Sequence, residues 1–211
     1  MEYSNYTYLF PPRPEKAIAR DFIGFYEKRS WVAQVKMNGT CSVLAINPQK
    51  QIVAMSRHKT EHKLWTPTEE NNLDFSKLPG KGWYVFIAEL MHSKIPGIRN
   101  VNYVHDVLVD NGDYLVGETF WKRQERLEKL LLKRRRGKSR ELLTHWEISP
   151  TLWLAKNHEG GFYELFEKLN RPEHEGLVFK NPNAPLAMCM KEDSNTNWQV
   201  KCRKLNKNFS F

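Results

Sequence analysis

Apolar positions recur with two periods along this chain, and each period marks a different element. Ile18, Phe22, Phe25 and Tyr26 share one helical face and predict a helix from Glu15 to about Lys28. Trp31–Val35 reads as a strand. Thr40–Ile46 and Gln51–Ser56 read as a hairpin across Asn47-Pro48-Gln49-Lys50. His58–Leu78 is polar and irregular, a loop with a short helix. After Gly80-Lys81-Gly82 the stretch Trp83–Leu90 is apolar almost without interruption, as in a strand covered on both faces. Tyr103–Val109 and Tyr114–Val116 form a second hairpin across Asp110-Asn111-Gly112-Asp113, since Asn-Gly supplies the positive φ angles of a tight turn. Leu127, Leu130 and Leu131 stripe a long helix over Thr119–Arg135. Trp146–Leu154 is a strand interrupted at Pro150, Gly161–Leu169 a short amphipathic helix, and Leu177–Lys180 and Trp198–Lys204 are the last strands. Ahead of all these, Leu9-Phe10-Pro11-Pro12-Arg13-Pro14 is stiff and extended, because proline fixes φ and biases its predecessor away from helix. Mixed elements dominated by hairpins predict an α+β fold with antiparallel sheets.

Composition narrows the function. With 211 residues, 40% hydrophobic and 12% aromatic, the chain can fill a sizeable core, which excludes a disordered protein. No apolar run approaches the roughly 20 residues of a membrane span, and Met1-Glu2-Tyr3-Ser4-Asn5-Tyr6 is not a leader, so a cytoplasmic protein with no membrane partner is expected. Cys41, Cys189 and Cys202 are too few and scattered for a disulfide framework or zinc site and read as reduced thiols. His62, His145 and His158 lack metal-ligand spacing. A formal charge of +9 points to a polyanionic partner, by default nucleic acid. Lys133-Arg134-Arg135-Arg136 is a nucleic-acid contact or, equally, a solvated helix end favoured by the helix dipole.

The candidate chemistry lies in short strings. Lys36 follows a strand and precedes Gly39, placing it in a turn where the backbone can approach a phosphate closely. Its amine is a nucleophile only when unprotonated, against a reference pKa of about 10.4, and nearby cations would lower that value. Lys201 and Arg203 alternate with Val200 and Cys202, so both basic groups share one strand face. Glu89 and Glu175 each border an apolar strand, where a carboxylate needs a partner: a metal ion, a ribose hydroxyl or a lysine. Taken singly, Lys36 also reads as a solvated loop lysine and either glutamate as a strand-end ion pair.

Their order carries more than any one string. Lys36-Met37-Asn38-Gly39, Arg57 after a hairpin, Glu89 closing a strand, His105-Asp106 inside a strand, Glu175-Gly176-Leu177-Val178 and Lys201-Cys202-Arg203 together resemble the ordered motifs of the covalent nucleotidyltransferase superfamily: ATP-dependent DNA ligases, RNA ligases and mRNA capping enzymes. The resemblance covers about residues 31–204. It implies an ATP-grasp-like nucleotidyltransferase domain, antiparallel sheets flanked by helices around a nucleotide cleft, spanning residues 1–211 with no oligonucleotide-binding barrel. It implies that Lys36 attacks the α-phosphate of ATP to give lysyl-AMP, that the AMP passes to a 5′-phosphate end, and that a 3′-hydroxyl then seals the strand. Carried over residue by residue, Arg57 and Glu89 would hold the ribose, Gln34 would meet the adenine edge and His105 would stack on the base. Gly39 would line the nucleotide site, Glu175 would bind Mg²⁺ or Mn²⁺, and Lys201 and Arg203 would neutralise the α-phosphate. Arg134, Arg135 and Arg136 would contact nucleic acid. Asn38, His105 and Arg203 depart from the usual aspartate, phenylalanine and lysine, and Cys41 from an arginine common in DNA ligases. Lys36-x-x-Gly39-Thr40 is closer to one branch of RNA ligases. The resulting expectation is a monomeric ATP-dependent polynucleotide ligase, with RNA slightly favoured over DNA. The alternatives are a capping-type guanylyltransferase and a catalytically silent nucleic-acid-binding module.

Overall fold

The computed structural model describes residues 7–133, 139–192 and 195–204. Its strands are β1 (Arg13–Ala17), β2 (Val32–Met37), β3 (Thr40–Ile46), β4 (Ile52–Ser56), β5 (Tyr84–Met91), β6 (Val101–Asp110), β7 (Asp113–Tyr114), β8 (Arg140–Glu141), β9 (His145–Ser149), β10 (Leu152–Ala155), β11 (His174–Lys180) and β12 (Asn195–Arg203). Its α-helices are α1 (Ile23–Glu27), α2 (Glu69–Phe75), α3 (Phe120–Leu131) and α4 (Phe162–Lys168). The strands form a four-stranded sheet, ordered β1-β12-β11-β2, and an eight-stranded sheet, ordered β4-β3-β5-β6-β10-β9-β8 with β7 on β6. The class is α+β. Two pairings depart from the antiparallel expectation: β1 runs parallel to β12 and β10 parallel to β6.

Local chemistry explains most elements. β5 is buried along nearly its whole length, as its apolar run requires. Asn111 and Gly112 both adopt positive φ (53° and 95°), closing the β6–β7 hairpin as a two-residue turn. The Thr119 hydroxyl accepts from the Lys122 N–H at 3.3 Å and starts α3, which buries Leu127, Leu130 and Leu131. Thr68 and Asn71 cap α2 reciprocally.

The helix predicted from Glu15 to Lys28 is the main correction. Arg13–Ala17 is instead an edge strand, a 3-10 turn covers Arg20–Phe22, and α1 holds five residues. Pairing with β12, continued by the Ile18 N–H donating to Lys201 O at 2.9 Å, satisfies this backbone over a long range and overrides the local period. Pro14 is tolerated because an edge strand leaves one side unpaired. Phe22 and Phe25 are exposed as a result, while Ile23 and Tyr26 are buried.

Two cores flank the cleft. Val35, Met37, Leu177, Phe179 and Val200 line the far face of the four-stranded sheet, packing with residues of α1 and α4. The eight-stranded sheet packs with Leu127, Leu130 and Leu131 of α3, and with Tyr8 and Leu9. The Tyr103 hydroxyl on β6 donates to Val35 O on β2 at 2.9 Å, a buried link between the sheets. The cysteines are free thiols, Cys189 and Cys202 buried and Cys41 partly so.

Candidate active site

A cleft of about 490 Å³ is lined by residues of both sheets. Strand register explains which side chains of the four-stranded sheet enter it. Across β2, β11 and β12, Lys36 pairs with Gly176 and Gly176 with Arg203; Gln34 pairs with Val178 and Val178 with Lys201. Paired residues project to the same face, so Lys36, Arg203, Gln34 and Lys201 reach the cleft while Val35, Leu177 and Cys202 turn into the core. Glu175 breaks this alternation. The β11–β2 register slips by one residue between His174 and Gly176, a β-bulge that turns Glu175 into the cleft. Gly176, at φ 145°, is required there, since a Cβ would fall 2.0 Å from Cys202 O.

Glu175 is nearly buried and held by two cations: one oxygen pairs with Lys36 Nζ, and the other forms an ion pair with Arg203 Nε at 2.6 Å. Lys36 was expected in a turn. It lies inside β2, and the bend follows at Asn38–Gly39, where the Asn38 N–H donates to Glu173 O and leaves the β2 ladder. Lys201 is pushed below the ordinary lysine value, first by burial and then by the charges of Arg203, Lys36 and Arg13.

On the facing sheet, Glu89 Oε1 accepts the Gly39 N–H at 3.0 Å. Burial raises the Glu89 pKa, against the charges of Lys36 and Lys94, and Glu175 raises it further. Gly39 makes its close approach to β5 rather than leaving an open phosphate cradle. A Cβ there would lie 2.6 Å from both Glu89 Cγ and Leu90 O. Arg57 lies on the exposed rim just after β4, donating to the His58 ring at 3.0 Å, and His58 pairs with Glu192.

The remaining wall is a polar network. Gln34 accepts from Lys180 Nζ at 2.6 Å and donates to Asn157 at 2.9 Å and Gln124 at 3.1 Å. Lys180 is 2% exposed; burial, reinforced by Arg123 and opposed by Asp106, lowers its pKa to about 8. Asp106 and Arg123 form a buried bidentate pair at 3.0 and 2.9 Å, which outweighs burial and holds the carboxyl below its usual range. His105 lines the cleft, and its Nδ1 has no hydrogen-bond partner among the described residues. Burial and the Lys180 charge push its pKa down to about 3, so the ring is neutral.

The structure thus brings Gln34, Lys36, Gly39, Arg57, Glu89, His105, Glu175, Lys201 and Arg203 to one cleft. Arg134, Arg135 and Arg136 lie outside the described residues. Sequence reasoning missed Lys180, Lys94 and the Asp106–Arg123 pair. Lys180 was within reach, sitting two residues after Val178 on the same strand face; the pairing of Asp106 with a helical arginine has no local signal.

Two carboxylates, Glu89 and Glu175, face a lining otherwise rich in lysine and arginine. Such a donor set fits a divalent ion that takes one or two carboxylates and completes its shell with phosphate and water. None of the helices among the described residues is long and apolar enough to cross a membrane.

No protein-family model and no curated protein matches the chain. Among solved structures it is similar to the ligase domain of LigD from M. tuberculosis, at 14% identity and a TM-score of 0.66, covering 96% of this chain and 62% of that one. It is similar to mycobacterial DNA ligase D complexed with ATP and MES, at 14% identity and a TM-score of 0.63, covering 98% and 62%. It is also similar to the ATP-dependent DNA ligase of bacteriophage T7 in complex with ATP, at 13% identity and a TM-score of 0.58, covering 92% and 68%. The chain therefore spans 62% of the length of the two DNA ligase D structures. The chain shares the α+β fold of these DNA ligase structures.

Proposed function

We propose that this protein is an ATP-dependent polynucleotide ligase acting through a covalent lysyl-AMP, as a monomer, on 3′-hydroxyl and 5′-phosphate ends. RNA ends are favoured over DNA on the Lys36-x-x-Gly39-Thr40 string alone. The observation that supports this reading is the convergence of one lysine, two carboxylates and a cationic strand end in a single cleft of ligase-like fold.

In the first step the Lys36 amine loses its proton to Glu175 or solvent and attacks the α-phosphorus of ATP. The N–P bond forms, the bond from the α-phosphorus to the bridging oxygen breaks, and pyrophosphate leaves with the electron pair. Lys201 and Arg203 neutralise the charge that builds on the α-phosphate oxygens. Glu89 and Arg57 hold the ribose, Gln34 meets the adenine edge, and the neutral His105 ring lies against the base. Glu175, with Glu89 nearby, would hold Mg²⁺ or Mn²⁺, which supplies charge neutralisation at the phosphates. The AMP then passes to a 5′-phosphate end, and attack by a 3′-hydroxyl expels AMP and joins the strand.

Incubation with α-labelled ATP tests the reading. Wild type should gain about 329 Da, the AMP residue on a nucleophilic lysine, and Lys36→Ala should gain nothing. Label taken only from GTP would replace the ligase with a guanylyltransferase. No adduct from either nucleotide would leave the silent nucleic-acid-binding module.

A further inference from the structure

The proline-rich segment ahead of β1 belongs to none of the motifs, yet it lines the cleft. Tyr8 and Leu9 are buried with the core of the eight-stranded sheet. The Phe10 N–H donates to Cys189 O at 2.8 Å. A few residues on, Arg13–Ala17 is a strand of the other sheet, with the Thr196 hydroxyl donating to Arg13 O at 2.9 Å. Residues 11–14 therefore pass from one sheet to the other, and all four line the cleft. Pro11, Pro12 and Pro14 have fixed φ and no N–H, so the strap is stiff and its backbone offers few donors. Arg13 is its single ionisable side chain. It lines the cleft together with Lys201 of one sheet and Cys41 of the other, and its charge is among those that hold the Lys201 pKa down.

Arg13 shares the lining of the cleft with Lys36, Lys201 and Arg203, a cationic surface suited to an anion with several charges. The planar fork of arginine matches phosphate oxygens two at a time. We propose that Arg13, presented by the proline strap, is a phosphate-binding residue of this site and grips the β- and γ-phosphates of the bound triphosphate. This rests on the ligase reading and assigns the strap a part in it: Arg13 neutralises the pyrophosphate as it leaves. A 5′-phosphate on a nucleic-acid end offers the same chemistry and is the other source of that phosphate.

The test is equilibrium binding of α,β-methylene-ATP and of AMP to wild type, Arg13→Ala, Arg13→Gln and Arg13→Lys, with adduct formation from ATP measured in parallel. Loss of a charged hydrogen bond predicts about a tenfold or larger weakening of α,β-methylene-ATP for the alanine and glutamine variants, with AMP affinity unchanged and partial rescue by lysine. A merely structural role would weaken both nucleotides together, and that result overturns the proposal. Unchanged nucleotide affinities with weaker binding of a 5′-phosphorylated nicked duplex, relative to its 5′-hydroxyl counterpart, assign Arg13 to the nucleic-acid phosphate. No change in either assay overturns the phosphate role while wild-type adduct formation leaves the ligase reading standing. A wild type that binds neither nucleotide and forms no adduct overturns both. If alanine fails to fold, judged by thermal melting, the glutamine variant carries the comparison.

Discussion

Strands β2 and β11 each contribute to two charged clusters of opposite character. At one end of the paired region Glu175 sits between Lys36 and Arg203, whose side chains are 20% and 39% exposed. A few residues along β11, Lys180 joins Gln34 beside the Asp106–Arg123 pair, where the arginine is wholly buried. Partners in the first cluster are reachable by solvent and can be exchanged for a substrate. In the second, each carboxylate and guanidinium is held by fixed hydrogen bonds in a low-dielectric wall, where losing one partner strands the other. The first arrangement suits chemistry and the second suits positioning. Stability and activity should therefore separate when each is broken.

The largest stability effect is expected at Arg123. Arg123→Ala leaves Asp106 buried and unpaired and should cost about 3–5 kcal/mol in urea unfolding. A loss below about 1 kcal/mol would mean that the pair is not buried as described. Gly176→Ala comes next, at about 2 kcal/mol or more, because its Cβ would collide with the Cys202 carbonyl oxygen and the φ angle is unfavourable for alanine. It should also disturb the bulge that presents Glu175, so adduct formation should fall with stability.

Lys180 gives a pH signature. Its pKa is lowered in the folded protein to about 8, from an ordinary value of 10.5. Between these values the unfolded chain binds more protons than the native one, so stability attributable to this group rises with pH across that window and is lost as pH falls through about 8. The urea midpoint of wild type, compared with Lys180→Met at pH 7 and pH 10, should show a rise that the variant lacks. Parallel curves for both proteins would contradict the buried placement of the amine. The smallest stability change is expected for Glu175→Gln, within about 1 kcal/mol, since its partners are partly solvated and the amide keeps the shape. Adduct formation should nevertheless drop about tenfold or more, as for removal of a group that acts on the reacting amine. A variant that loses stability without losing adduct would invert the contrast between the two clusters.

Local signals account for much of this. The apolar run of β5, the Asn-Gly turn after β6 and the leucine stripe of α3 each act within a few residues, and each element formed at its pattern, although α3 ends at Leu131, short of the Arg135 expected. The candidate site was legible only as an order of strings, because Lys36, Glu89, Glu175 and Lys201 lie on four different strands of two sheets. Where a distant strand competed with a local period, the distant strand won: residues 15–17, at the start of the helical pattern, joined β1 because β12 offered backbone partners on either side of a register shift.

The amino-acid sequence by itself determined the elements and the repertoire of reactive groups, since periodicity, turn chemistry and side-chain type are properties of neighbouring residues. The tertiary structure decided which groups meet. The bulge that turns Glu175 toward Lys36, the carriage of Arg13 across the cleft and the pairing of Asp106 with Arg123 all depend on strand register and helix packing, which join residues far apart in the chain.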